Sequence, residues 1–272
     1  VARGQAMQDE YAGRFILAEG CFSNMIELMR MHLPSTGLLD GAAFDLGVCS
    51  TQLDQPERGF SFLADGPLDM RMSKSGKSAA DVVMQADEAE LVKILWEYGE
   101  EKASRRIARA ICKFREENKI VSTRQLAAII HGVMPTKRSN QTDPATRSFQ
   151  ALRIFVNSEL DELTFGLAAV EELLRPGGLL AVVSFHSLED RITKQFLARR
   201  SQHASFPSRH RPLAEARPAP TFDLVSRKAI TPTEAERSKN SRARSAKLRV
   251  ARRTDAALPA SQREIRELLS CG

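Results

Sequence analysis

The chain has 272 residues, 42% of them hydrophobic, with 40 Lys/Arg against 34 Asp/Glu and a net charge of +6. That length holds one large or two modest domains, and the apolar share suffices for a real core. Apolar runs of about 18 residues are absent, which excludes a spanning helix. The cysteines at 21, 49, 112 and 271 form neither a CxxC pair nor an even framework, so neither a metal site nor a disulfide scaffold is suggested and a reducing compartment fits.

The charge is unevenly placed. Residues 1–190 carry 21 Lys/Arg against 27 Asp/Glu, whereas residues 191–253 carry 17 against 4. Such a local excess points to a polyanion, most simply nucleic acid, with a solvated basic tail as the plainer alternative.

In chain order, residues 1–12 read as helix, and Arg14 to Gly20 as a strand turning into Cys21-Phe22-Ser23. Residues 24–34 form an amphipathic helix, with Met25, Ile26, Met29 and Leu33 at helical spacing and the methionines read as core filling. The run Leu38 to Phe44 reads as a buried parallel strand ending in Asp45-Leu46-Gly47, the end at which open α/β sheets bind ligands. A long loop follows, holding Gln52, Asp54, Arg58, Asp65, Asp69 and Arg71. Its mixture of aromatic, acidic and basic residues predicts one held shape rather than a linker.

Residues 79–133 carry only helical patterns: Leu91, Ile94, Leu95 and Tyr98, then Ile107 and Ile111, then Leu126, Ile129 and Ile130. Three helices with no strand between them predict an inserted helical domain over 75–148. Its middle helix lines up Arg105, Arg106, Arg109 and Lys113 on one basic face. Met134 to Arg147 reads as a return loop. One helix over 148–174 then turns Leu152, Phe155, Val156, Leu160 and Leu163 toward the sheet. Pro176-Gly177-Gly178 ends that helix, and a buried strand, Leu179 to Val183, delivers Ser184-Phe185-His186-Ser187 beside Asp45. Ser187 caps the next helix, with Asp190 reaching back. An exposed loop at 201–220 precedes a short strand, Phe222 to Val225. Thr231-Pro232-Thr233-Glu234 opens a helix with Pro at its first position, and Arg242 to Val250 returns as a last strand with a basic rim. The tail from 254 to 272 reads as helical or frayed.

Five blocks of this chain carry a resemblance. DLGVCSTQLD with RGFSF and DGPLDMRM, YGEEKASRRIARAI at 98–111, ATRSFQALRIFVNSELDEL at 145–163, RPGGLLAVVSFHSLEDR at 175–191, and SRKAITPTEAE with RARSAKLR resemble, in order and spacing, the RsmH (MraW) family. The resemblance implies a class I S-adenosylmethionine-dependent methyltransferase, a Rossmann-like doubly wound α/β sheet with an inserted all-helical domain. Methylation of cytidine N4 in 16S ribosomal RNA is the implied activity, with that RNA or the small ribosomal subunit as partner and the cytoplasm as setting. The implied division is a first methyltransferase segment at 1–74, the helical insertion at 75–148, a second methyltransferase segment at 149–253 and a tail at 254–272. Arg14 to Gly20 resembles the family's third strand, and no GxG stands in the chain to match the family's cofactor loop. The expectation is a fragment of a longer protein rather than a truncated relative, poorly soluble or partly unfolded alone because, without the central first strand, its neighbours would expose unpaired backbone edges.

By resemblance, Phe22, Asp45 and Gln52 contact S-adenosylmethionine, Phe22 against the adenine. An exocyclic cytosine amine has its lone pair conjugated into the ring, so a carboxylate must accept its hydrogen bonds and hold it in line with the methyl group. Asp45 is the first candidate for that role. Phe185 and His186 are candidates to hold a flipped or single-stranded base. Arg105, Arg109, Arg242, Arg244 and Lys247 are the RNA-binding candidates. A hydrolase built on Ser184 or Ser187 with His186 is disfavoured, since GxSxG is absent. The remaining alternative is a non-catalytic relative that binds RNA through its basic C-terminal third.

Overall fold

The computed structural model describes residues 2–32, 38–73, 75–134, 143–201 and 219–258. Leu33, most of the expected return loop, most of the loop expected at 201–220 and most of the tail lie outside the described residues. Two compact units divide the chain, one formed by residues 1–47 with 160–272, the other by residues 48–159. The helical unit thus takes in segment 48–74 and residues 149–159 besides the expected 75–148.

The elements are α1 (Ala2–Glu10), α2 (Met25–His32), β1 (Leu39–Asp45), α3 (Ser50–Asp54), α4 (Ala79–Gln85), α5 (Glu88–Gly99), α6 (Ser104–Arg115) and α7 (Thr123–Val133). They continue with α8 (Ala145–Val156), α9 (Glu159–Leu173), β2 (Leu174–Ser184), α10 (Ser187–Arg200), β3 (Phe222–Leu224), α11 (Glu234–Lys239) and β4 (Lys247–Arg253).

In the first unit the strands run in the order β1-β2-β4-β3. β1 and β2 are parallel, and β4 is antiparallel to both β2 and β3. Leu163, Leu167 and Val170 of α9, with Phe196 and Leu197 of α10, form one apolar cluster with Phe44, Leu180, Val182, Phe222 and Ala251. This is the expected α/β layering, but β1 is less buried than its sequence suggested. Only Phe44 in it is buried, because β1 stands at the edge of the described sheet.

The strand expected at Arg14–Gly20 does not form. A strand exists through its ladder, and no ladder partner meets this segment among the described residues. Leu17 N–H instead donates to the Gln8 side chain at 2.7 Å. β2 starts earlier than expected, at Leu174, and contains Pro176-Gly177-Gly178. Its pairing jumps from Leu39↔Leu174 to Gly41↔Leu179, and Gly177, at φ +84°, takes up the excess chain. Near the C-terminal end, the helix start falls two residues later than expected. Thr233 is the cap of α11, its side chain accepting from Glu236 N–H at 3.2 Å.

The helix expected over 148–174 is broken at Asn157-Ser158. Asn157 Nδ2 donates to Met70 O and Arg153 O, both at 2.8 Å, and its Oδ1 accepts from Met72 N–H at 2.7 Å. These bonds turn the chain out of the helix, and Ser158 follows in the left-handed region at φ 48°. As a result Leu152, Phe155 and Val156 face the helical core rather than the sheet, and of the apolar positions named for that helix only Leu163 joins the sheet cluster.

Within the helical unit, caps decide where helices begin. Ser78, Asp87 and Ser122 accept from the backbone three residues on, starting α4, α5 and α7. Leu91, Ile94, Leu95, Ile107, Ile111, Leu126 and Ile130 then bury one apolar face each. The polar loop after Val48 is held in one shape, as expected. Leu68 and Met70 are buried in this core, and Leu68 N–H donates to Val121 O at 2.9 Å. The Arg71 guanidinium, forked on Asp69 at 2.8 and 2.9 Å, holds that carboxyl below its ordinary range despite partial burial.

Candidate active site at the strand ends

Parallel pairing sets Asp45 opposite Val183, and Leu46 N–H continues the ladder to Val183 O at 3.1 Å. The carboxyl ends of β1 and β2 therefore emerge side by side, which brings Asp45-Leu46-Gly47 next to Ser184-Phe185-His186. Asp45 is exposed at this edge. Gly47 turns the chain away at φ +88°, a conformation that L side chains rarely adopt. A Cβ there would lie 3.9 Å from both Phe185 and the Glu189 carboxylate.

Glu189 is the residue that sequence reasoning passed over. Its Oε2 accepts from Phe185 N–H at 2.8 Å and from His186 N–H at 3.3 Å, and only 3% of its side chain is exposed. The cap of α10 is accordingly His186, not Ser187, and the residue reaching back is Glu189, not Asp190. A glutamate at the third helical position was the available signal. His186 Nδ1 accepts from Glu189 N–H at 3.4 Å. Nε2 lies 3.0 Å from Glu189 Oε1, too poorly aligned for a hydrogen bond. Both ring nitrogens thus face Glu189 in a largely buried position, and the imidazole orients the helix start.

Phe22, in a 3₁₀ turn at Phe22–Asn24, packs edge-on against Phe44 with centroids 5.0 Å apart. Gly166 of α9 makes room for it, since a Cβ at Gly166 would stand 3.0 Å from Phe22 Cβ and 3.2 Å from Phe44 Cε1. Ser23 is tied to the same helix, its N–H and hydroxyl donating to Glu162 at 2.9 and 3.0 Å. Because successive residues of a strand point to opposite faces, Phe44, which carries Phe22, and Asp45 diverge. A ligand touching both Phe22 and Asp45 must lie across the strand end. This donor set, an aromatic ring packed closely against Gly166 and Phe44 and an exposed carboxylate at the carboxyl edge, fits an adenosine with an attached cationic group.

Gln52 belongs to the helical unit. Its Oε1 accepts from Cys49 N–H at 2.9 Å at the start of α3. The Thr51 hydroxyl, 2.9 Å from Cys49 Sγ, holds that thiol below its ordinary range.

The basic candidates divide. Arg105 and Arg109 are exposed on α6, with Arg109 Nε 3.7 Å from Glu88. Arg242 and Arg244 are exposed in the 3₁₀ turn Ser241–Ser245. Lys247 Nζ lies 3.1 Å from the Asp190 carboxylate. Part of the C-terminal positive charge is internal. Arg249 pairs with Asp190 at 2.8 Å, Arg200 pairs with buried Glu171 at 3.0 Å, and buried Arg253 donates to Glu171 O and Thr221 O. Among the described residues no helix is long and apolar enough to cross a membrane.

Comparison with known proteins agrees along the whole of this frame. A protein of Paramagnetospirillum magneticum named "Ribosomal RNA small subunit methyltransferase H" is 54% identical over 257 residues, covering 94% of this chain and 80% of its own length. Proteins of the same name from Methylobacterium nodulans and Caulobacter vibrioides are 52% and 55% identical, over 95% and 90% of this chain and 76% and 77% of their own lengths. The family model described as the MraW methylase family matches residues 1–254, which takes in β1, the helical unit, β2 and β4, and the chain belongs to that family.

Proposed function

We propose that the chain transfers a methyl group from S-adenosylmethionine to N4 of a cytidine in small-subunit ribosomal RNA, in the cytoplasm. The chain is a class I methyltransferase whose methyl donor is S-adenosylmethionine. The observation that carries the site assignment is the exposed Asp45 at the adjoining ends of two parallel strands. When bound, the donor supplies a methyl group activated by a sulfonium. What the chain must add is position and electrostatics.

Asp45 accepts hydrogen bonds from the N4 amino group, which draws electron density back onto that nitrogen and aims it along the line of attack. With the donor held beside it, that nitrogen would take the methyl group and the sulfur would keep the bonding pair. The amine then loses one proton, to Asp45 or to water at the exposed strand end. Phe185 stacks on the extruded base, while His186 and Glu189 lock the start of α10 so that Phe185 keeps its place. Phe22 and Asp45 hold the adenosine end of the donor. Arg105, Arg109, Arg242 and Arg244 contact phosphates, a term that weakens as salt rises.

Small ribosomal subunits lacking the methyl group, incubated with enzyme and labelled donor, test the assignment. Asp45→Asn is expected to lower kcat by about 10²–10⁴, the range for loss of a positioned acid–base group, while Asp45→Ala also weakens donor binding. An unchanged rate in Asp45→Ala would remove the carboxylate from the mechanism.

A further inference from the structure

Trp96 is the chain's one tryptophan, and it stands 57% exposed on α5. Its indole presents a flat π face on which a base can stack. It lines an open cleft of about 1040 Å³ between α5 and α6, reaching Arg147 at the start of α8. Lys93, Arg105, Arg106 and Arg147 stand around the same cleft, and Val92 and Met134 add apolar surface. Glu97 and the buried Glu101 also line it. Glu101 serves α6, its Oε1 accepting from Ala103 N–H at 2.8 Å. Five cations in all line the cleft against those two carboxylates, so its field favours an anion.

From this combination we infer that the α5–α6 cleft binds a short stretch of single-stranded RNA, with one unpaired base stacked on Trp96 and the flanking phosphates on Arg105, Arg106 and Arg147. An exposed indole offers a π face to any base but not to the edge of a duplex. A ring of guanidinium groups matches a phosphate backbone bidentately. A carboxylate-bearing partner would satisfy the arginines but leave the indole without a stacking partner. The inference rests on the RNA-methylating reading and adds a place on the helical unit where the substrate is gripped.

Because Trp96 is the sole tryptophan, intrinsic fluorescence at tryptophan wavelengths reports on this cleft alone. The measurement titrates an unstructured eight-nucleotide RNA into the full chain. It follows Trp96 quenching and, by anisotropy of a 5′-labelled copy, total binding. Saturable quenching that parallels the anisotropy is expected, with little from a duplex of the same sequence. Trp96→Ala should weaken binding about 5- to 100-fold, the range for loss of one base–aromatic stack, and Trp96→Phe should restore most of it. S-adenosylmethionine binding should be unchanged in both, confirming the fold. Arg105→Ala with Arg106→Ala should flatten the salt dependence.

RNA binding by anisotropy without Trp96 quenching, or with unchanged affinity in Trp96→Ala, would overturn the cleft assignment and leave the methyltransferase reading intact. Equal quenching by duplex would overturn the single-strand specificity. Failure to methylate ribosomal subunits, measured in parallel, would instead sink the parent reading.

Discussion

Asp190 Oδ1 accepts from Arg249 Nε at 2.8 Å, which bolts the first turn of α10 to the middle of β4. Lys247 donates to the other oxygen at 3.1 Å. Burial alone would raise the Asp190 pKa, but the hydrogen bonds from Arg249 and Lys247 outweigh it and hold the carboxyl below its ordinary range. The same helix start holds His186 and Glu189, so this ion pair braces the candidate active site from behind.

Asp190→Asn is therefore expected to destabilise the chain by about 2–4 kcal/mol, chiefly because Arg249, 13% exposed, loses its charged partner. The sign of the pH effect follows from the depressed pKa. The carboxylate contributes its full stability above the unfolded pKa of about 4 and loses it as pH falls through the lower folded value. Urea unfolding at pH 7 and again between pH 5 and 2.5 checks this. The mutant should lose less stability on acidification than the parent, and parallel curves would refute the linkage.

His186→Asn separates capping from catalysis. Asparagine is a good helix cap, so thermal stability should hold to within about 1 kcal/mol, whereas His186→Leu should cost about 1–2 kcal/mol. If the imidazole acts only by fixing the helix start, His186→Asn should keep most of the methylation rate and the same pH profile. A large loss of kcat in a stable His186→Asn protein would restore a direct role for the ring.

Gly166→Ala probes the recess behind Phe22. Alanine favours the helix by about 1 kcal/mol, and crowding of Phe22 and Phe44 opposes that gain, so stability should change little. Displacing the Phe22 ring should weaken S-adenosylmethionine binding several-fold in calorimetric titration. Unchanged affinity would remove Phe22 from the cofactor site.

Asn157→Ala should cost about 2–3 kcal/mol, because it leaves Met72 N–H and Met70 O without their partner at 2.7 and 2.8 Å. Hydrogen exchange should show the segment around Met70 and Met72 loosening before the remainder of the helical unit. Loss of protection spread evenly over that unit would contradict the assignment of Asn157 as a local clamp.

Much of this protein can be read from local pattern alone. β1 and β2, the helices between residues 79 and 133, and the meeting of Asp45 with Phe185 and His186 follow from apolar runs, helical spacing and the rule that parallel strands release their ligands at carboxyl ends. Those signals lie within one element or its immediate neighbours, so the chain states them directly. Other features depend on partners distant in sequence. Asn157 breaks a continuous helical pattern because it meets the backbone of Met70 and Met72, 87 and 85 residues away. Arg14 to Gly20 has strand composition but finds no ladder among the described residues. Arg249, read as part of a basic rim, turns inward because Asp190 waits for it, as Arg253 does toward the backbone at Glu171 and Thr221. A charge count cannot separate a cation that binds RNA from one that closes an internal ion pair, since both are the same residue until the fold supplies the neighbour. Sequence determined which chemistry this chain carries, and tertiary structure decided which of its charged groups are left to perform it.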